Sequence, residues 1–179
     1  MNILHIISGD LWAGAEAQAY SLIMGMSCFP IVRQRVILFN KGILEREMIR
    51  KNVVVHIVDE TRYCIPVMIA HCRKIIKEEK VDIVHAHGFK ENFIGGIASR
   101  LCKAVSVVRT HHGKGLIGAA RRYSLIERVN EKFLTDALIC VSFDLQKYLE
   151  GLGFQEKKIT VIHNGISFRN PVSKERASL

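Results

Sequence analysis

Four short apolar runs in this chain each end in small or polar residues, and a helical pattern follows each one. The four endings are residues 8–14, 85–88, 109–113 and 142. A repeated order of strand, loop and helix predicts a parallel sheet, and ligands bind at the carboxyl edge of such a sheet. The Gly, His, Thr and Ser residues of these endings therefore lie where we expect the chemistry.

The same pattern predicts an α/β fold, a Rossmann-like doubly wound parallel sheet of about seven strands with helices on both faces. The predicted strands cover about 2–8, 34–39, 53–58, 81–87, 105–110, 137–141 and 159–163. The predicted helices cover about 14–27, 44–51, 66–80, 91–103, 119–134 and 143–150. Gly95 and Gly96 should allow the fourth helix to approach a strand closely, and Ser142 should cap the sixth.

Composition limits the classes to which the chain can belong. With 179 residues and 49% hydrophobic residues, it can form one domain with a substantial core. No apolar run reaches the ~18 residues that a membrane span requires. No basic segment precedes an apolar one at the N-terminus, so we expect no signal peptide. The five cysteines are odd in number and lack CxxC spacing, which predicts reduced, mostly buried thiols and a cytosolic protein.

The formal net charge of +9 indicates an anionic partner, either nucleotide phosphates, acidic lipid or nucleic acid. A solvated basic surface explains the charge equally well. We find no helix-turn-helix, RNP or zinc-finger signature, so no nucleic acid is expected as a partner.

Two glycines, Gly9 and Gly14, bracket the turn between the first strand and the first helix. The amides and dipole of a helix N-terminus favour a phosphate there. Ala15 and Glu16 stand where a P-loop requires Lys and Ser or Thr, and the dinucleotide motif GxGxxG is missing. A tight turn without a ligand stays open as the alternative. Glu16 either contacts a ligand or only stabilises the helix dipole, and Trp12 is either half-buried packing or a platform for a sugar or lipid.

Histidines end two of the strands. We expect the side chains of His85 and His87 to point to opposite faces of the sheet, and those of His111 and His112 likewise. His87 and His112 are expected to face the cleft, where an imidazole can bind a sugar hydroxyl or a phosphate. His85 and His111 are expected to be packed with satisfied rings. Because Cys and acidic partners do not accompany these histidines, no metal site is predicted.

Five segments, taken together and in this order, resemble the N-terminal domain of a GT-B glycosyltransferase of the large retaining family 4. Residues 12–16 are similar to its GGAE turn, 81–87 to its strand "vDivHaH", and 110–113 to its T-x-H-G. Residues 137–142 resemble "d.iiavS" and 158–166 resemble "kv.vipNGi". The resemblance runs from residue 2 to about 168, with Ala13 in place of the first Gly of GGAE.

The resemblance implies one half of a GT-B enzyme, in which two Rossmann-like domains enclose a cleft. Residues 1–168 would form the N-terminal, acceptor-side domain, and 169–179 would begin the interdomain linker. Asn164 and Gly165 would form the hinge, and the donor-binding C-terminal domain would lie outside this chain. The isolated chain is therefore expected to fold but not to transfer sugar.

The family's functional residues carry over to matching positions. His112 would be catalytic, near the transferred sugar, and Gly14 and Ala15 would direct amides at the donor diphosphate. The remaining residues expected at the acceptor or cleft are Glu16, Trp12, His87, Thr110, Arg121 and Arg122. The resemblance implies a nucleotide-diphosphate sugar as substrate, retention of configuration, no cofactor and no metal.

These inferences predict hexosyl transfer from a nucleotide sugar to a glycan or lipid-linked acceptor, in polysaccharide or lipopolysaccharide biosynthesis. A GT-B-like sugar-nucleotide epimerase and a non-catalytic anion- or nucleic-acid-binding α/β module stay open as alternatives. The basic and apolar residues of 113–123 make an anionic membrane surface a further candidate partner. The expected location is cytoplasmic, with peripheral association at the inner face of the membrane left open.

Overall fold

The computed structural model describes residues 1–102, 105–113 and 121–165, with the backbone alone for 121–126. Its strands are β1 (Asn2–Ile7), β2 (Arg33–Leu38), β3 (Val54–Ile57), β4 (Ile83–Ala86), β5 (Ser106–His111), β6 (Ala137–Cys140) and β7 (Ile159–Val161). Its α-helices are α1 (Gly14–Met26), α2 (Ile43–Arg50), α3 (Ile65–Glu78), α4 (Phe89–Arg100), α5 (Arg121–Leu134) and α6 (Phe143–Gly151), and one 3₁₀ turn spans Glu156–Lys158.

All seven strands form one parallel sheet in the order β3-β2-β1-β4-β5-β6-β7. The predicted fold class and every predicted strand and helix are therefore confirmed, with bounds that differ by at most three residues. The chain builds the sheet outward from β1 in one direction and then from β4 in the other. The carboxyl ends of β1 and β4 consequently flank the crevice in which open α/β sheets bind ligands.

Apolar side chains cover both faces of the sheet. On one face, Leu4 and Ile6 of β1 pack with residues of α3 and α4, including Met68 and Ile94. On the other face, Ile7 of β1 packs with buried residues of α1 and α2. Because successive residues of a strand point to opposite faces, His5 shares the face of Ile7 and lies on the side of α1.

The predicted close approach of α4 to a strand is confirmed for Gly95, and so is the cap of α6. For Gly96 the prediction is wrong, because this glycine faces Leu134 of α5 and not a strand. A Cβ atom on Gly95 would lie 2.5 Å from Ile6 Cδ1, so the absence of a side chain lets α4 approach β1 closely. The side-chain oxygen of Ser142 accepts a hydrogen bond of 3.2 Å from the amide of Leu145, which caps α6.

The prediction that most cysteines are buried is wrong. Cys72 and Cys140 are buried, Cys102 is partly exposed, and Cys28 and Cys64 are exposed. The two exposed thiols lie just outside helices, after the end of α1 and before the start of α3, where no second layer covers them. All five are free thiols.

No helix within the described ranges is long and apolar enough to cross a membrane. The proposed linker, 169–179, lies outside the described residues.

Candidate functional site

The glycine turn, His87 and His112 lie at the carboxyl ends of β1, β4 and β5, which are neighbours in the sheet. His87 follows the last residue of β4, and its backbone amide donates to the carbonyl of Ile6 at 3.1 Å. The sheet ladder thus holds His87 rigidly beside the turn that follows β1.

The turn after β1 leaves the N-terminus of α1 open. Gly9 has a φ of +81°, and a Cβ there would lie 3.0 Å from the carbonyl oxygen of Asn40, so glycine is needed. Ala13 has φ −115° and ψ −171°, an extended conformation that any residue adopts. Alanine therefore fits where the family pattern has glycine. Alanine cannot cap the helix with its side chain, and no described residue lies within 4 Å of a Cβ built on Gly14.

This arrangement can bind an anion, because the first amides of a helix have no partner within the helix and the helix dipole attracts negative charge. Gly14 is exposed and Ala15 is partly exposed. Glu16, in the same turn, is buried with 8% of its surface exposed. Trp12 is 42% exposed and meets the ring of Tyr20 edge-on, with ring centroids 5.7 Å apart.

Three buried imidazoles lie together on the α1 face of the sheet. His5 pairs in register with His85, and the rings of His85 and His87 stack with centroids 4.3 Å apart. The expectation that His85 and His87 point to opposite faces is wrong, because residues two positions apart in a strand share a face. His5 Nδ1 lies 3.1 Å from His87 Nε2, within hydrogen-bond distance.

Thr110 is the partner of His85 rather than an open cleft residue. Its hydroxyl lies 2.7 Å from His85 Nε2, and both residues are buried. His85 is buried as expected, and its Nε2 has a hydrogen-bond partner. The role expected for Thr110 at the acceptor stays a prediction, and its hydroxyl is already engaged.

His112 extends the group of imidazoles toward the end of β5. Its ring lies 6.0 Å from that of His87 in a stacked arrangement. Both nitrogens of His112 and the Nδ1 of His87 are buried, without a hydrogen-bond partner in the part of the chain that the structure describes. We call His5, His85, His87 and His112 together the histidine cluster. His111, the next residue to His112, is buried as expected, but its Nε2 is unpartnered within the described ranges, so the expectation of a satisfied ring is wrong for this residue.

Burial keeps these histidines neutral. Loss of hydration lowers the pKa of His5 to about 4, although its hydrogen bond to Gln34 opposes the shift. Burial also lowers the pKa of His85 to about 3, that of His112 to about 4 and that of His87 well below the ordinary value. Neighbouring imidazoles or Arg109 add to the effect. At neutral pH the cluster can therefore offer hydrogen bonds to a ligand but no positive charge.

A buried ion pair lies near the site. Arg109 of β5 makes two hydrogen bonds to the carboxylate of Glu127 of α5, at 2.6 and 3.0 Å. The positive charge of Arg109 contributes to the low pKa of His111, about 3, although burial is the larger cause.

The cluster also includes a set of nitrogens that could approach a metal ion. One ring nitrogen from each of His5, His85 and His87 lies within 4.8 Å of the others. Hydrogen bonds already engage both nitrogens of His5 and the Nε2 of His85. A metal ion would have to displace the contact between His5 and His87, which argues against a metal at this place. The expectation of a metal-free site stays a prediction.

Sequence reasoning missed a second polar group at the same edge. Asn40, after β2, donates to Glu60 Oε1 at 2.6 Å, and Lys90 of α4 pairs with the other oxygen of Glu60. The sequence contains a signal for this polar group, because Asn40, Glu60 and Lys90 also follow predicted strands. His5 and Gln34 were missed as well, because they lie inside strands and not at strand ends.

The remaining predicted residues lie apart from the cluster. Asn164 and Gly165 are exposed at the end of the described chain, and Gly165 lines a depression beside α1. The side chains of Arg121 and Arg122 fall outside the described residues. Most of the segment 113–123 also lies outside the described residues.

The model of glycosyltransferase family 4 matches residues 32–169. The chain belongs to glycosyltransferase family 4. A curated Escherichia coli relative of this family 4 chain is named UDP-Gal:alpha-D-GlcNAc-diphosphoundecaprenol alpha-1,3-galactosyltransferase. The two are 37% identical over 98 residues, which is 52% of this chain and 25% of the relative.

Solved structures share the fold of this family 4 chain. Anabaena HepE, in complex with UDP and glucose, superposes with a TM-score of 0.77 at 18% identity, over 93% of this chain and 45% of HepE. The lipopolysaccharide outer core galactosyltransferase WaaB in its apo form superposes with a TM-score of 0.70 at 14% identity, over 98% of this chain and 50% of WaaB. A UDP-N-acetylglucosamine 2-epimerase superposes with a TM-score of 0.69 at 14% identity, over 92% of this chain and 48% of the epimerase. The seven-stranded sheet thus matches the Rossmann-like domain of GT-B enzymes, and the chain spans about half the length of these proteins or less.

Proposed function

We propose that the complete protein transfers a hexosyl group from a nucleotide-diphosphate sugar to a glycan or lipid-linked acceptor, with retention, and that this chain is its acceptor-side half. The observation that carries the proposal is the open N-terminus of α1 beside the neutral His87 and His112, at the point where the strand order reverses. The name of the E. coli relative and the UDP and glucose bound to HepE support the substrate class.

In this proposal the amides of Gly14 and Ala15 bind the donor diphosphate. An uncapped helix N-terminus stabilises the negative charge that develops on the leaving phosphate, and preorganised amides do so without reorganisation cost. Neutral His112 orients the reacting groups by hydrogen bonding, because its low pKa prevents it from supplying charge. Charge neutralisation then depends on the amides and on cationic side chains rather than on a metal.

The acceptor is proposed to bind along Trp12, Glu16 and His87. The exposed indole can stack on a sugar face, and the carboxylate and imidazole can hydrogen-bond hydroxyls. A lipid-linked diphosphate acceptor also fits the net charge of +9 and the basic residues Arg121 and Arg122. We extend the proposal to peripheral contact with an anionic membrane on this ground.

The test uses the complete protein in which this chain occurs, with ¹⁴C-labelled UDP-galactose and a water-soluble GlcNAc-diphospho-alkyl acceptor. Gly14→Asp places a carboxylate in the open space before α1, where it repels the diphosphate without a steric clash. We expect kcat/KM for the nucleotide sugar to fall at least tenfold, which is about 1.4 kcal/mol. Gly14→Ala, at the same position without charge, is the matched control, and its loss should be much smaller than that of Gly14→Asp.

Equal activity of the Asp and Ala variants would contradict the proposed role of the α1 N-terminus. Isomerisation of the nucleotide sugar without acceptor would instead favour the epimerase alternative. Addition of EDTA should leave transfer unchanged if the reaction is metal-independent.

The isolated 179-residue chain is expected to be inactive, since the resemblance assigns most of the donor site to the other domain. Isothermal titration with UDP-sugars should then detect weak or no binding, and sub-micromolar affinity would contradict this expectation.

A further inference from the structure

The hydrogen bonds of Gln34 determine which nitrogens of the histidine cluster carry protons. Gln34 Nε2 donates to the carbonyl oxygen of Ile23 at 2.8 Å and to Ser27 Oγ at 3.1 Å. The opposite amide orientation would direct two oxygens at each other, so Oε1 must face His5. An amide oxygen only accepts hydrogen bonds. His5 Nε2, 3.1 Å away, must therefore carry a hydrogen.

The constraint passes from His5 to His87. A neutral imidazole has one N–H and one lone pair, so His5 Nδ1 is the acceptor once Nε2 is the donor. His87 Nε2 lies 3.1 Å from His5 Nδ1 and must donate to it. Burial keeps His87 neutral as well. The remaining nitrogen, His87 Nδ1, therefore carries no hydrogen and has a free lone pair.

The chain of hydrogen bonds ends at an acceptor that has no donor. His87 Nδ1 is buried and unpartnered among the described residues, and the ring stacks near His112, whose two nitrogens are in the same condition. An unpaired buried acceptor is unfavourable, and a bound hydroxyl would relieve that cost. Sugars offer hydroxyl donors, and His87 follows the last residue of β4, at the same sheet edge as the turn before α1.

We propose that Gln34 is a positioning residue: acting through His5, it fixes His87 in the Nε2–H tautomer, so that Nδ1 accepts a hydrogen bond from a hydroxyl group of the sugar substrate. The role of the hydroxyl rests on the proposed glycosyl transfer. The tautomer does not depend on it.

The first test reads the tautomer directly. Long-range ¹H–¹⁵N spectra of the histidine rings in the 179-residue chain should show His87 protonated on Nε2 and not on Nδ1. Gln34→Met preserves length but removes the acceptor, which frees His5 to protonate on Nδ1 and should move the His87 proton partly or wholly to Nδ1.

Ser27→Ala is the matched control, because it removes only one of the two acceptors of Gln34 and leaves the Ile23 contact that fixes the amide. Its His87 tautomer should be that of wild type. A wild-type His87 protonated on Nδ1, or a Gln34→Met spectrum identical to wild type, would overturn the proposal.

The second test is kinetic and uses the complete protein with the GlcNAc-diphospho-alkyl acceptor. Loss of one hydrogen bond should lower kcat/KM for the acceptor about five- to tenfold in Gln34→Met, while Ser27→Ala stays near wild type. A switched tautomer with unchanged kcat/KM would overturn the hydroxyl role. A wild type that has the expected tautomer but transfers no sugar would contradict the proposed function and leave the tautomer assignment intact.

Discussion

Five neutral histidines, four buried and one partly buried, should make this domain sensitive to mild acid. They are His5, His85, His87, His111 and His112. Each folded-state pKa is lowered by burial from the ordinary value of 6.5, so the unfolded chain binds protons in a pH range where the folded chain does not. Stability therefore rises with pH across this range and is lost as the pH falls below about 6.5.

The magnitude follows from the unfolded state. Between pH 7 and pH 5 an unfolded histidine becomes almost fully protonated, which favours unfolding by about 2 kcal/mol per residue when the folded ring stays neutral. Five such residues give a loss on the order of 10 kcal/mol, comparable with the whole stability of a domain, about 5–15 kcal/mol. Buried Glu91 opposes the loss in part, because burial raises its pKa and the folded state takes up its proton first as the pH falls.

Urea unfolding of the 179-residue chain, followed by circular dichroism at pH 7, 6 and 5, measures this loss. His111→Gln removes one titrating ring and should reduce the loss by about 2 kcal/mol. His71→Gln, which removes a partly exposed imidazole from α3, is the matched control and should leave the loss unchanged. A wild-type free energy of unfolding that changes by less than about 2 kcal/mol between pH 7 and 5 would refute the reasoning.

Two further predictions concern packing and charge. Glu127→Ala leaves Arg109 buried and unpaired, and urea denaturation should show a loss of about 3–5 kcal/mol, much of it recovered by pairing Glu127→Leu with Arg109→Met. Gly96→Ala would place a Cβ 2.7 Å from Leu134 Cβ and should lower stability by about 1–3 kcal/mol, whereas Gly25→Ala, in open space on α1, should be neutral or stabilising by up to about 1 kcal/mol. Thermal melts of the two glycine variants with the same sign would contradict the second prediction.

The fold could be predicted because its signals are local. Each strand is an apolar run, each helix has its own spacing of apolar residues, and the turn residues between them mark the boundaries. The strands of a parallel sheet buried on both faces are nearly continuous apolar runs, so the number of strands can be predicted from the sequence without knowledge of tertiary contacts. The bounds were less certain because strand ends depend on pairing. β4 begins at Ile83, opposite Ile3, and not at the first apolar residue, Val81.

The site could be predicted only where it lies at strand ends. The glycine turn, His87 and His112 were found because they follow apolar runs. His5 and Gln34 lie within β1 and β2, and their contact with His87 requires the order and register of three strands. The two-residue period of a strand predicts that His85 and His87 share a face of the sheet. The expectation of opposite faces is wrong and would separate two rings that stack in the structure.

The histidine cluster is costly for the domain, which argues that it serves a purpose other than stability. On the same face of the sheet, Val36 and Leu38 show that β2 is packed there by apolar side chains. Imidazoles in place of such side chains leave buried nitrogens without partners among the residues that the structure describes, and they lower stability in acid. Hydrogen bonds formed in a buried site are stronger than in water, so these nitrogens would bind the proposed hydroxyl more firmly than exposed nitrogens would. A cluster kept for packing would have no reason to end in an unpaired acceptor at the sheet edge where ligands bind.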